Sequence, residues 1–243
     1  MAAASGRVRR RRHSHAPAAA DARVSAPPQA THNMETPPPL LVQVLGGNVV
    51  TTAAVLACLN TVDATALRRL HPALAAAIAA VPWADTTTRV RDIGRWRAAL
   101  PAATAMKLAE KARLPRPLHR DRVLAALGGV TALDLVRCGS VTDAVIARLP
   151  PTLHTLNVSW CKQVTGRASF MHVSALEALD CSRTSAVVAG LARLPPSLRQ
   201  LRMGCCGLPG TADFSHLRHL QVVTNTCAAR PLSSATVASL PPS

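Results

Sequence analysis

The stretch Leu153-His154-Thr155-Leu156-Asn157-Val158-Ser159-Trp160-Cys161-Lys162-Gln163-Val164 contains the pattern that decides the fold. Its apolar residues and its cysteine follow the spacing L-x-x-L-x-V-x-x-C-x-x-V. The same spacing recurs along the C-terminal half of the chain. The five copies begin, in chain order, at Val130, Leu153, Leu176, Leu198 and Leu217. Successive copies are separated by 23, 23, 22 and 19 residues, and a nearly constant step predicts a repeated structural unit.

Each copy combines a short strand with a turn. Side chains two residues apart point to the same side of a strand, so Leu156 and Val158 share one apolar side. Cys161 lies where the chain leaves the strand. A small buried side chain that can form hydrogen bonds suits the backbone groups there, because those groups have left the ladder. One unit cannot bury its apolar edge alone, so the units must stack on each other.

This spacing and period resemble the leucine-rich repeat family, of the type that carries a cysteine at the turn. The resemblance covers about half of the chain. It implies an α/β fold, a leucine-rich-repeat solenoid with short parallel strands on its concave face, preceded by a small helical cap. The fold requires one continuous buried row formed by Leu133, Leu156, Leu179, Leu201 and Leu220.

Residues 40–83 have a helical character instead. Their apolar residues recur at steps of three and four, as in amphipathic helices. Asp63 fits the N-cap of one helix, and Pro72 is expected to end or kink that helix. Further along, Ala103 opens a weak copy of the repeat, so the first unit of the solenoid is expected to be atypical.

The order of features in residues 40–83 resembles a divergent F-box. Val55-Leu56-Ala57-Cys58-Leu59 is followed by Leu67-Arg68-Arg69-Leu70, an apolar helix and a tryptophan. F-box proteins often carry C-terminal leucine-rich repeats, and they dock on the adaptor subunit of a cullin ubiquitin ligase. The resemblance implies adaptor docking through Leu56, Leu59, Leu67 and Leu70. The alternative is a plain helical cap that shields the first repeat, as solenoids require.

Composition divides the chain into three parts. Residues 1–39, rich in Ala, Pro and Arg, predict a disordered basic tail. Residues 40–101 form the helical cap or F-box-like segment, and residues 102–243 form the solenoid. Leu-Pro-Pro followed by Thr or Ser precedes two of the repeats and is expected to steer the chain into the next strand. A third copy ends the sequence at Ser243, which predicts a solenoid truncated at its C-terminus.

The net charge of +16 makes nucleic-acid association the alternative function. Arg7 and Arg9–Arg12 form a basic cluster in the tail, and Arg113–Arg122 form a basic loop. The cluster fits a nuclear import signal, a mitochondrial presequence or an RNA-contacting arm, and the alternative to all three is a solvated basic tail.

The cysteine count and the missing motifs exclude several functional classes. Seven cysteines without a C-x-x-C pair argue against a zinc site and against a secreted disulfide framework, so we expect an intracellular protein, cytoplasmic or nuclear. No apolar run reaches the roughly 18 residues of a membrane span. H-E-x-x-H, G-x-S-x-G and a glycine-rich phosphate loop are absent. The sequence therefore predicts no enzymatic activity, no cofactor and no metal.

Stacked strands place their outward residues in columns on the concave face, where a protein partner is expected to bind. Neighbouring strands lie about 4.8 Å apart, so Arg137 and Arg183 should flank Trp160 within cation–π reach. An exposed tryptophan beside arginines has the composition of an interface hot spot. The alternative is a Trp160 that merely folds onto its neighbours. The predicted partner-binding residues are Asp134, Arg137, Asn157, Trp160, Asp180, Arg183, Arg202 and Gln221.

Overall fold

A computed structural model describes residues 58–110, 125–185, 191–206 and 212–225, together with Leu40, Gln43, Ala54, Val55, Ala238 and Leu240. The predicted tail at residues 1–39, the basic loop at residues 113–122 and Leu56 lie outside the described residues.

The described elements are short, and most strands have three residues. In chain order they are α1 (Thr61–Leu67), α2 (Pro72–Ala80), β1 (Ala84–Val90), α3 (Ile93–Ala99), β2 (Ala105–Leu108), β3 (Ala132–Asp134), α4 (Asp143–Ile146), β4 (Thr155–Asn157), β5 (Ala178–Asp180), a 3-10 helix (Leu191–Arg193), β6 (Gln200–Arg202) and β7 (Val222–Thr224).

In the described part of the chain, seven strands form one parallel sheet in the order β1 to β7. Leu133 pairs in register with Leu156, which pairs with Leu179, which in turn pairs with Leu201. Each of these four side chains is at most 2% exposed. The residues on either side of each leucine point outward, onto what we call the open face of the sheet. The predicted α/β solenoid of parallel strands is confirmed.

The last repeat pairs three residues later than the sequence predicted. Val223, rather than Leu220, lies opposite Leu201. Val222, predicted to be interior, is 45% exposed, and Leu220 is buried in the adjacent row of first leucines. The step into this repeat is therefore 22 residues instead of 19. The prediction was wrong because Leu217 and Leu220, three residues apart, both fit the first position of the pattern.

The sheet begins before the five clear repeats. Met106 lies opposite Leu133, which shows that the weak copy opening at Ala103 is a repeat. β1 pairs in parallel with β2, although residues 84–90 lack the apolar pattern of a repeat. The sheet therefore starts inside the segment 40–101 that the sequence assigns to the cap.

The N-cap of α1 is Asn60, and the prediction of Asp63 was wrong. The Asn60 side chain accepts hydrogen bonds from the backbone N–H groups of Val62 and Asp63, at 2.9 and 3.0 Å. Asp63 instead lies in the first turn, where its negative charge favours the helix dipole. Pro72 begins α2 rather than ending α1, because a proline is well tolerated at the first helical position.

The Leu-Pro-Pro segments lead into strands as expected, and the residue that follows them binds the preceding repeat. The Thr152 hydroxyl donates to the Val130 carbonyl at 3.1 Å. The Ser197 hydroxyl donates to the Leu176 carbonyl at 2.8 Å. Both acceptors are first residues of the repeat before, so these hydroxyl groups join neighbouring repeats on the entry side of the strands.

The turn cysteines join neighbouring repeats on the exit side. The Cys161 thiol donates to the Leu135 carbonyl at 3.1 Å, and the Cys138 thiol lies 3.6 Å from the Ala109 carbonyl. The Cys206 thiol makes a similar bond, at 3.0 Å, to a carbonyl one repeat earlier. Burial raises the pKa of Cys161 to about 11 and that of Cys138 to about 12, so both remain protonated donors at neutral pH. The repeat pattern, with its cysteine at the turn, predicts hydrogen bonds of this kind.

A buried hydrogen-bond network joins α1 to β1. The Asp85 carboxylate accepts from the backbone N–H and the hydroxyl of Thr61, at 2.8 and 2.6 Å, and from the same groups of Thr87, at 2.7 and 2.6 Å. Trp83 Nε1 donates to the Thr61 hydroxyl at 3.1 Å. Burial raises the pKa of Asp85, but hydrogen bonds from Thr61, Thr87 and Thr88 outweigh it and hold this pKa well below 3.8.

Replacing Asp85 with asparagine should destabilise the protein by about 2–3 kcal/mol at neutral pH, because buried donors lose a charged acceptor. Since the pKa of Asp85 is lower in the folded than in the unfolded state, its stabilisation is complete above pH 3.8 and is lost as the pH falls below that value. Urea unfolding of the wild type and of Asp85→Asn should show that the difference between their free energies of unfolding is smaller at about pH 3 than at about pH 7. A difference in free energy of unfolding that does not depend on pH would contradict the stabilising role of the charged Asp85 carboxylate.

Candidate functional site

One column of turn residues has a backbone conformation that is unusual for its residue types. Arg137, Trp160, Arg183 and Cys205 have φ angles of 58°, 61°, 55° and 56°. A left-handed backbone costs a residue other than glycine about 1–2 kcal/mol. Glycine or asparagine would fit these turns at lower energy. Large side chains at this place in successive repeats therefore indicate that the side chains themselves have a role.

The left-handed turns bring one tryptophan between two guanidinium groups. Cζ of Arg183 lies 4.4 Å from the centroid of the Trp160 ring, and Cζ of Arg137 lies 5.2 Å from it. Arg137 belongs to the repeat before Trp160 and Arg183 to the repeat after, so they approach the ring from its two sides. The tryptophan is still 38% exposed. The predicted flanking geometry is confirmed, and we call these three residues the Trp160 stack.

Glu110 occupies the equivalent position of this column in the repeat before Arg137. Oε1 of Glu110 lies 3.8 Å from Nη1 of Arg89 and 3.8 Å from Nη1 of Arg137. Such exposed pairs contribute at most about 1 kcal/mol each. Arg89 lies on β1 as the register partner of Lys107, outside this column. The three guanidinium groups of Arg89, Arg137 and Arg183 outnumber the one carboxylate of Glu110, so the edge of the open face near the turns is positively charged.

The acidic and amide residues that end the strands form a second column with a structural task. Oδ1 of Asp134, Asn157 and Asp180 accepts a hydrogen bond from the backbone N–H two residues later, at 3.0, 2.9 and 3.0 Å. These Asx turns direct the chain off each strand. Oδ2 of Asp134 also lies 2.9 Å from Lys107 Nζ. Sequence reasoning proposed these residues for partner binding and missed this local role, which the regular spacing of Asp and Asn before each turn could have indicated.

A shallow depression of about 220 Å³ lies on the open face above β4, β5 and β6. Asp180 and Arg202 are register partners on adjacent strands at its wall. Among the described residues, Asp180 and Arg202 form no ion pair. Lys107 and Asp134, at the equivalent position of β2 and β3, do form one. We call this the central depression; its lining residues are Thr155, Leu156, Asn157, Ala178, Leu179, Asp180, Gln200 and Arg202.

Gln221 does not belong to the strand-end column, and its predicted placement was wrong. Thr224 lies opposite Arg202 in the sheet. The backbone N–H of Gln221 instead donates to the Arg199 carbonyl at 2.8 Å. Arg199 lies three residues before Arg202, the residue of β6 in the column. This displacement follows from the corrected register of the last repeat.

The leucines predicted for adaptor docking separate into two environments. Leu59 and Leu67 are partly buried and pack against the core, as the residues of a cap do. Leu70 is 68% exposed, and Val62 on α1 is 63% exposed. The helical segment therefore covers the interior on one side and presents two apolar side chains to solvent on the other.

The described residues contain neither a candidate metal site nor a candidate membrane-spanning helix. No group of histidine, cysteine and acidic residues there is arranged to hold a metal ion. No helix within the described ranges has the length and apolar character that crossing a membrane would require.

Comparison with known proteins found similar chains among the solved structures. No family profile matches the chain, and no curated protein matches it. The leucine-rich repeat-containing protein LegL7 from Legionella pneumophila is similar, with 17% sequence identity and a TM-score of 0.41. The match covers 68% of this chain and 60% of that protein, so the chain spans less than two thirds of its length. The repeat spacing, the parallel register and the buried rows of leucines identify the fold of this chain as a leucine-rich-repeat solenoid.

Proposed function

We propose that this protein is a non-enzymatic scaffold that binds a protein partner through the open face of its sheet, the face expected to be concave. The Trp160 stack is the observation that carries this proposal. Tryptophan and arginine are enriched at the energetic centres of protein interfaces. Here they lie at turns where glycine or asparagine would have less backbone strain, and contacts with a partner outside the chain would account for their presence.

The stack is also well prepared for binding. A free arginine loses much rotamer entropy when a partner orders it. Arg137 and Arg183 already lie over the Trp160 ring, which reduces the entropy that binding removes. The central depression lies beside the stack and offers space for a side chain of the partner. Arrayed strands supply a continuous surface of this kind in repeat proteins.

A finer version of the proposal makes residues 40–83 the docking site for the adaptor subunit of a ubiquitin ligase. The exposed side chains of Leu70 and Val62 support this version. The purified adaptor should then bind the full chain, and Leu70→Ser should weaken that binding about tenfold, since an exposed apolar contact is lost. Calorimetry without detectable binding would remove the recruiter role and leave the scaffold intact.

Trp160→Ala should abolish capture of the partner. The loss of an interface tryptophan typically reduces affinity by about 2 kcal/mol or more, which is roughly thirtyfold. Affinity capture on the full-length protein, quantified by mass spectrometry, should show proteins that disappear with Trp160→Ala. Met171→Ala is the matched control, because it removes an apolar side chain that is 49% exposed on the connection between β4 and β5. An identical set of captured proteins in both variants would exclude the open face as the binding surface.

Arg137→Gly should separate binding from stability. Glycine relieves the left-handed strain at this turn, and the relief offsets the lost cation–π contact and the greater entropy of the unfolded chain, so stability should change by less than about 1 kcal/mol. Partner capture should nevertheless weaken, because one guanidinium group of the stack is gone. Thermal unfolding and capture measured on the same preparation would test this. A large loss of stability with full capture would make Arg137 structural only.

A further inference from the structure

We propose that the ligand of the open face is an extended acidic peptide segment, with a carboxylate bound by Arg183 and Arg202 next to the Trp160 stack. This inference rests on the proposed function and gives its partner a chemical class.

The cations of this region have unused binding capacity. Arg202 forms no ion pair with any described residue, although its register partner is Asp180. Arg183 lies over the Trp160 ring, and a stacked guanidinium keeps its in-plane N–H donors for other acceptors. Arg183 follows Asp180 by three residues, at the turn that ends the same strand, and Arg202 is the register partner of Asp180 on the next strand. The planar fork of a guanidinium matches the two oxygens of a carboxylate.

The balance of charge favours an acidic partner over a basic one. Lys107 already neutralises Asp134 at 2.9 Å. Asp180 is the one carboxylate lining the central depression; Arg202 lines it as the register partner of Asp180, and Arg183 follows Asp180 by three residues. Arg137 adds a further positive charge at the edge. Charges of opposite sign across an interface promote binding and exclude partners of like charge.

The shape of the depression fits a peptide better than a small molecule. Its volume of about 220 Å³ is below the roughly 300–1,000 Å³ of typical small-molecule sites. Thr155 and Ala178 are small residues at its base and allow a backbone to approach. Asp180, Asn157 and Gln200 provide acceptors and donors that match peptide N–H and C=O groups. A single partner side chain with its flanking backbone therefore fits here.

The same surface is poorly suited to nucleic acid. Proteins that bind single strands stack bases on the free faces of aromatic rings. The Trp160 ring has a guanidinium group over it from the repeat on either side.

The test begins with random peptides displayed on phage and selected on the full-length protein. Enriched peptides are synthesised with a fluorescein label, and their affinities are measured by anisotropy for wild type, Arg183→Gln and Arg202→Gln. We expect enrichment in Asp and Glu, and a loss of affinity of about tenfold or more in each variant. Arg199→Gln is the matched control, because it removes one exposed charge three residues before Arg202 and outside the central depression. Its affinity should stay within about twofold of wild type.

Each other outcome is decisive. Selected peptides rich in Lys or Arg, affinities indifferent to both arginine substitutions, or no enrichment at all would overturn the inference. If the selected peptides or the captured proteins are still lost with Trp160→Ala, the proposed function stands with a partner of other chemistry. If Trp160→Ala also has no effect, both the acidic-peptide inference and the proposed function are excluded. A labelled single-stranded oligonucleotide that displaces the peptide, with affinity falling steeply as salt increases, would assign the surface to nucleic acid instead.

Discussion

The in-register stacking of leucines is the interaction on which the rest of the structure depends. Leu156 is 1% exposed because Leu133 and Leu179 pair with it on the two adjacent strands. Burial of one leucine stabilises a fold by about 1.5–3 kcal/mol, and here each leucine needs both neighbours for its burial. A shift of one strand by a single residue would turn its leucine toward solvent. Register is therefore strongly specified through the central repeats.

Register in turn determines the contacts between neighbouring repeats. It brings the Cys161 thiol to the Leu135 carbonyl, and it places the Arg137 and Arg183 guanidinium groups over the Trp160 ring. The interior positions tolerate little variation, because their side chains share one packed core. The outward positions carry no such restriction. Chemistry specific to this chain can therefore accumulate on the open face without disturbing the fold.

The open face combines structural roles with the proposed binding roles, and single residues take part in both. Asp180 directs its strand into a turn with one oxygen and lines the central depression. Trp160 and its two arginines occupy strained turns whose conformation sets the position of their side chains. At the left-handed turns, substitutions are expected to alter stability and the proposed binding together, unless the replacement suits that backbone.

The sequence by itself determined the repeat, the buried leucine row from Leu133 to Leu201 and the flanking of Trp160, because periodic burial is encoded in the local spacing of apolar residues. Tertiary structure alone decided the pairing of β1, whose polar residues carry no repeat pattern. It also decided between Leu217 and Leu220, since two leucines at equivalent spacing differ only in the strand that they meet. The sequence likewise could not predict that Asp180 and Arg202, although register partners, form no ion pair. Side-chain positions on an exposed surface depend on neighbours from other repeats, and one-dimensional spacing does not contain them.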